Sequence, residues 1–187
     1  ILYDLGAHLF DHALYLFGIP ATITADVRLQ RPHARNVDNF EVKLDYGFTK
    51  AILKSGMLVR EPGPRFTIHG TYGSFIKYGD DTQEAFLRDG KLPTEVPDWG
   101  TEPASMHGFI HTQVNGQVLK EHFVSRKGNY GYYYENLYKT IRGGMPLRER
   151  PEHGHNGVRL VELALESSEK KATIPCADLL DVPYPAD

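Results

Sequence analysis

Asp4 and His8 stand four residues apart in the run YDLGAHLFDHALYLF, residues 3–17, and this spacing is the chain's clearest pointer to chemistry. On a helix, side chains at i and i+4 share a face, so a carboxylate and an imidazole placed this way can meet. The carboxylate favours the imidazolium and fixes the ring, which is the arrangement of a general acid/base with an orienting partner. At about 100° per residue, Asp4, His8, Asp11 and Tyr15 form a narrow stripe bordered by His12. Leu5, Leu9, Phe10, Ala13, Leu14, Leu16 and Phe17 cover nearly everything else. Most of this helix is therefore expected to be buried, and buried ionisable groups require partners. Spacing alone leaves a plainer reading open, an Asp–His pair that only satisfies itself beneath a loop. His8 and His12 also spell H-x-x-x-H and with Asp4 could offer zinc three ligands. That pattern is common by chance, and the helix has no Glu to serve as base, so no metal is expected.

Other reactive residues carry less. In Tyr130-Gly-Tyr-Tyr-Tyr134 an aromatic run reads first as packing, yet Gly128-Asn129 offers an entry turn that would place Tyr130 at a helix start near solvent. A phenol there can donate a hydrogen bond to a ligand. His153-Gly-His155 sits where a loop meets a helix and reads as a solvated turn rather than a metal clip. His107 and His111 read as surface or packing residues. Cys176, beside Pro175, reads as structural. No G-x-G-x-x-G, P-loop or G-x-S-x-G is present.

The elements that must position these residues follow from pattern. Gly18 and Pro20 stop the first helix. Alternation predicts strands over 21–31, 40–46 and 49–59. Phe66 and Ile68 mark a fourth, ending at His69-Gly70, and 74–78 a short fifth. The Gly-, Pro- and charge-rich stretch 79–107 reads as a long excursion with few regular elements. Asn115-Gly116 between 109–114 and 117–124 predicts a hairpin with a type I′ turn. Tyr130, Tyr134, Leu137 and Ile141 predict a helix stopped by Gly143-Gly144. Pro151 opens a last helix whose apolar face holds Val158, Leu160, Val161, Ala164 and Leu165. A short strand at 172–176 and a Pro-rich tail follow. Grouped, hairpin-joined strands mean α+β: a large, open, mostly antiparallel sheet with helices on one face and the other face free for oligomerisation.

Composition excludes several classes. The 187 residues are 41% hydrophobic and 24% charged with a formal charge of −3, an ordinary globular balance. No apolar run approaches a membrane span, and nothing in the charge marks a nucleic-acid or anionic-membrane partner. A lone cysteine excludes an internal disulfide framework and fits a reducing, cytoplasmic compartment. The chain opens Ile-Leu-Tyr-Asp inside what reads as a helix turn, so it is expected to be the C-terminal portion of something longer.

The segment LYDLGAHLFDHALYLFGIP resembles the opening of the C-terminal domain of the Gfo/Idh/MocA oxidoreductases, with Asp4 and His8 matching that family's D-x-x-x-H signature. The resemblance continues through HGTYGSFIKYG, DTQE, DWGTEP, GNYGYYYENLYKTIRGG and ALESSEKK. The middle block is most similar to the branch that includes bacterial NADP-dependent scyllo-inositol dehydrogenases. The resemblance implies a fold like the C-terminal domain of glyceraldehyde-3-phosphate dehydrogenase, with residues 1–187 as a substrate-binding and oligomerisation domain. It implies an N-terminal Rossmann domain of roughly 120–150 residues that is absent from this chain and carries the family's E-K-P lysine. NAD or NADP would be bound mainly there.

By the same resemblance, His8 would be the acid/base at the reacting hydroxyl or carbonyl, and Asp4 would hold the substrate hydroxyl and orient the site. Tyr130 would approach substrate or nicotinamide. Hydride transfer needs the substrate hydroxyl to lose its proton as the C–H bond breaks, which a suitably placed His supplies. The implied substrate is a sugar, polyol or inositol-like compound, with a homodimer or homotetramer formed through the open sheet face. Two alternatives remain: a redox-neutral NAD-dependent hydrolase or epimerase, and a non-catalytic dinucleotide-binding regulator. Taken alone, the chain is expected to be inactive.

Overall fold

The computed structural model describes residues 1–184. A π-helical turn, Leu2–Gly6, runs into α1 (Ala7–Phe17). Strands β1 (Thr22–Arg28), β2 (Asn39–Asp45), β3 (Lys50–Gly56), β4 (Phe66–Gly70) and β5 (Gly73–Lys77) follow. Then come α2 (Thr82–Arg88), β6 (Gly108–Val114), β7 (Gln117–Phe123), α3 (Gly131–Gly143), α4 (Pro151–Lys170) and β8 (Ile174–Pro175). The chain divides into two compact units, Ile1–Arg60 with the segment from Pro146 onward, and Glu61–Met145. The anticipated α+β class with antiparallel pairing is present. The strands lie in two four-stranded sheets, β3-β2-β1-β8 and β4-β5-β6-β7. Between them, Pro62 and Pro64 remove backbone donors, so the ladder that ends with β3 cannot run on into β4.

In the first unit the alternation works as read. Register pairs Ile23 with Leu44, Ala25 with Val42 and Val27 with Phe40, so these share one face. Against that face pack Phe10, Ala13 and Leu14 of α1 and Leu160, Val161, Leu163 and Ala164 of α4. Each fully buried Phe, Leu or Val side chain among them contributes roughly 1.5–3 kcal/mol. The opposite face carries Thr24, Asp26, Glu41, Lys43 and Lys54, so the uncovered side of this sheet is polar rather than an apolar patch.

β8 pairs only with Thr22 and Ile23. Farther along β1, the Ala25 and Val27 N–H groups donate to the Ser167 and Ser168 hydroxyls of α4, each at 2.9 Å. The paired serines therefore take the place of a longer edge strand. β1 stops at Arg28, short of the expected 31, because the buried Asp38 carboxylate gathers the turn that follows. It accepts the Gln30 N–H at 2.6 Å and the Arg31 N–H at 2.9 Å.

In the second unit, β6 and β7 turn on Asn115 (φ 50°) and Gly116 (φ 81°), the two positive-φ positions of a type I′ turn. The segment 79–107, expected to hold few regular elements, contains the short helix α2 and one 3-10 turn, Ala104–Met106. Asp81 caps α2 by accepting the Gln83 N–H at 2.9 Å, and Glu84 follows three residues on, the spacing of a capping box. Among the described residues no helix is long and apolar enough to cross a membrane.

Candidate functional site

α1 is held on the core by one face only. Leu2, Gly6, Phe10, Ala13 and Leu14 are buried, while Tyr3, Leu5, Tyr15 and Leu16 are exposed. The expected mostly buried helix is corrected here: apolar residues surround the helix, but these residues pack only one side of it. A Cβ on Gly6 would crowd Leu2 of the same turn at 3.1 Å and make ordinary contact with Phe40 of β2 at 3.6 Å. Asp4 and His8 fall on the outer side and are exposed.

The Gly6 N–H reaches back five residues to the Ile1 carbonyl at 3.1 Å, the hydrogen bond of a π turn. Among the described residues neither the Asp4 nor the His8 side chain is hydrogen-bonded or ion-paired within the protein. The self-satisfied pair left open by spacing is not what the fold holds. Both groups are instead free to meet something from outside.

Asp11, next on the stripe, is engaged. The Tyr184 hydroxyl donates to it at 2.5 Å. The Tyr184 ring stacks on His153 at 3.9 Å and meets Tyr15 edge-on at 5.3 Å. His153 is not in a solvated turn: it is buried inside α4 and its Nδ1 accepts the Arg150 N–H at 3.3 Å, completing a capping box. His107 is half-buried and His111 exposed on β6. Cys176 is buried, and burial pushes its thiol up to about 11, which fits an inert packing residue. No metal-holding group of His, Cys, Asp or Glu occurs among the described residues.

Tyr130 lies in the second unit at the start of α3, as the sequence predicts. What surrounds it was not legible. Gln83 of α2 is fully buried, and its side-chain oxygen accepts both the Trp99 indole N–H at 2.7 Å and the Tyr130 backbone N–H at 2.9 Å. Its amide nitrogen donates to Asp81 at 3.1 Å. Next to it, Glu84 accepts the Tyr130 hydroxyl at 2.9 Å. Burial first, and this hydrogen bond second, push the Tyr130 phenol up to about 12. Gly100 approaches Gly128 so closely that a Cβ would stand 1.9 Å from the Gly128 carbonyl oxygen. Thus DTQE, DWGTEP and GNYGYYY converge on one polar knot. The signal that could have exposed it was Asp81 with Glu84 three residues later.

The family model described as the oxidoreductase family, C-terminal alpha/beta domain, Gfo/Idh/MocA, matches residues 1–176. The chain belongs to this family. The Gfo/Idh/MocA domain is 44% identical over 173 residues to scyllo-inositol 2-dehydrogenase (NADP(+)) IolW of Bacillus subtilis, covering 92% of this chain and 48% of that protein. It is 36% identical to the uncharacterized oxidoreductase YdgJ of Escherichia coli, covering 93% of this chain and 49% of YdgJ. Among solved structures, yvaA of Bacillus subtilis superposes with a TM-score of 0.88 at 43% identity, over 93% of this chain and 50% of that one. An oxidoreductase from Bacillus cereus gives 0.84 at 32% identity, over 93% and 51%. The chain spans about half the length of the curated relatives it matches.

Proposed function

We propose that the domain forms the substrate side of a nicotinamide-dependent dehydrogenase that moves a hydride between NAD or NADP and a hydroxyl-bearing carbon of an inositol-like polyol or sugar. The observation that carries this reading is the Asp4/His8 pair, four residues apart on α1 and its entry turn and presented outward without a protein partner. A substrate hydroxyl at His8 would lose its proton to His8 as the hydride departs, with Asp4 orienting the site beside it. The nicotinamide, which accepts the hydride, is held mainly by a Rossmann domain outside these residues. Family membership and 44% identity to an NADP(+)-dependent inositol dehydrogenase support this choice of substrate and cofactor.

The test uses the full-length parent with NAD or NADP and a panel of inositols, sugars and their keto forms, following absorbance of the reduced nicotinamide. Formation with one polyol bears the reading out. Tight cofactor binding with silence across the panel overturns it and favours redox-neutral chemistry or regulation.

For assembly, the register of β4 to β7 places Ile68, Phe75, Ile110, Val114 and Phe123 on one face. Ile68, Val114 and Phe123 are exposed there. We assign a homodimer or homotetramer to this apolar face. A monomer in sedimentation of the parent at high concentration contradicts it.

A further inference from the structure

The start of α4 rests on a side chain that can change charge. Its N-cap is Arg150, whose guanidinium has donors and no acceptor. The cap therefore falls to His153 at N3. Its Nδ1 accepts the Arg150 N–H at 3.3 Å, while its own backbone N–H donates to the Arg150 carbonyl at 3.0 Å. In a capping box the N3 residue is ordinarily Glu or Gln, whose oxygen accepts at neutral and mildly acid pH alike. An imidazole accepts only while it is neutral, because both nitrogens of an imidazolium are donors.

The surroundings leave one place for an added proton. The ring is buried, with Tyr184 stacked on its face at 3.9 Å. With Nδ1 accepting, the neutral ring carries its hydrogen on Nε2, which is buried and has no hydrogen-bond partner. A proton taken up from solvent must then go to Nδ1, where it meets the Arg150 N–H head-on. Facing the ring are Glu149, Arg150 and Glu152 of its own segment, Tyr184 of the C-terminal segment, and Asp11 of α1 on the Tyr184 hydroxyl. Among them, the Glu149 carboxylate stands 3.8 Å from Nδ1 on an exposed side chain. That is too far for a hydrogen bond, and a shift of about 1 Å would make one.

We propose that His153 makes the cap of α4 a proton-sensitive latch: neutral, it holds the Arg150 N–H; protonated, it releases that N–H and turns to Glu149. A bare imidazolium in a buried place is costly, and the Glu149 carboxylate offsets that cost. The ring need not leave Tyr184, since a cation on an aromatic face is favourable. The loosening is thus confined to the residues that lead into α4. They bring the chain into this unit from Met145 of the other. The anchor of that crossing therefore responds over about pH 8 to 5, the range in which histidines change charge.

Hydrogen–deuterium exchange of the full-length parent tests this, read by mass spectrometry over residues 147–155 and corrected for the intrinsic pH dependence of exchange. Protection of that segment should fall about fivefold from pH 8 to pH 5, the scale of one lost cap, while the rest of α4 keeps its protection. His153→Gln installs the usual N3 acceptor and should be equally protected at both pH values. Glu149→Gln removes the carboxylate that receives the protonated ring and should keep more protection than wild type at pH 5.

Wild-type protection that does not change between the two pH values overturns the latch, and so does an equal loss in His153→Gln. Should His153→Gln not fold, Glu149→Gln, at an exposed position, decides: a loss at pH 5 equal to that of wild type overturns it. Exchange reads no turnover, so the outcome is independent of the role given to His8.

Discussion

The Tyr184 hydroxyl donates to Asp11 at 2.5 Å, so a residue near the end of the described chain is fastened to the helix that presents Asp4 and His8. The same ring stacks on His153 at the start of α4. Tyr184→Phe keeps the ring and removes the bond. With Asp11 exposed, the expected loss is about 1 kcal/mol by urea unfolding. Burial, and then the bond to Asp11, raise the Tyr184 pKa above its usual value. The raised folded value means this contribution is full below about pH 10, the unfolded value, and is lost as pH climbs beyond it. The wild type should lose stability over Tyr184→Phe in that alkaline range only; a gap independent of pH contradicts the pairing.

Asp38 gives the opposite sign. Backbone N–H groups of Gln30 and Arg31, and then the Arg31 side chain, bring its carboxyl down to about 2. A depressed folded value contributes stability above the unfolded value near 3.9 that fades as pH falls toward 2. Asp38→Asn should be less stable than wild type at neutral pH, with the gap closing between about pH 4 and 2. A gap that stays constant through that range would mean the ionised form is not what holds the turn after β1.

Two glycines separate steric from backbone effects. Gly100 has φ 75° and Gly128 oxygen where its Cβ would be; Gly116 has φ 81° and open space. Gly116→Ala should cost about 1 kcal/mol from backbone strain alone. Gly100→Ala should cost more, about 2–4 kcal/mol, and should also disturb Trp99 emission. Equal losses on denaturation would show that the close approach of Gly100 to Gly128 is not holding the knot.

Local patterns were legible where one residue type has one physical use. Asn115-Gly116 specified its turn because few other residues adopt positive φ twice running, and Gly18, Gly144 and Pro151 bounded helices as read. The alternation of β1 and β2 gave the core face correctly. Burial of α1 was misjudged, since an apolar perimeter says which sides can be covered, not which sides this chain covers. The knot at Gln83 was hidden because its members come from three separated segments, and a buried glutamine looks in sequence like any surface one. His153 was misplaced for a similar reason: its partners, Arg150 and Tyr184, are set by the fold.

The central claim is that the Asp4/His8 pair carries the proton step. The most direct measurement is steady-state reduction of nicotinamide by the full-length parent with its best polyol, comparing wild type, His8→Ala and Asp4→Asn. The account predicts a fall in kcat for His8→Ala of about 10²–10⁴-fold, a smaller fall for Asp4→Asn, and cofactor binding unchanged in both. Wild-type turnover in His8→Ala would contradict it.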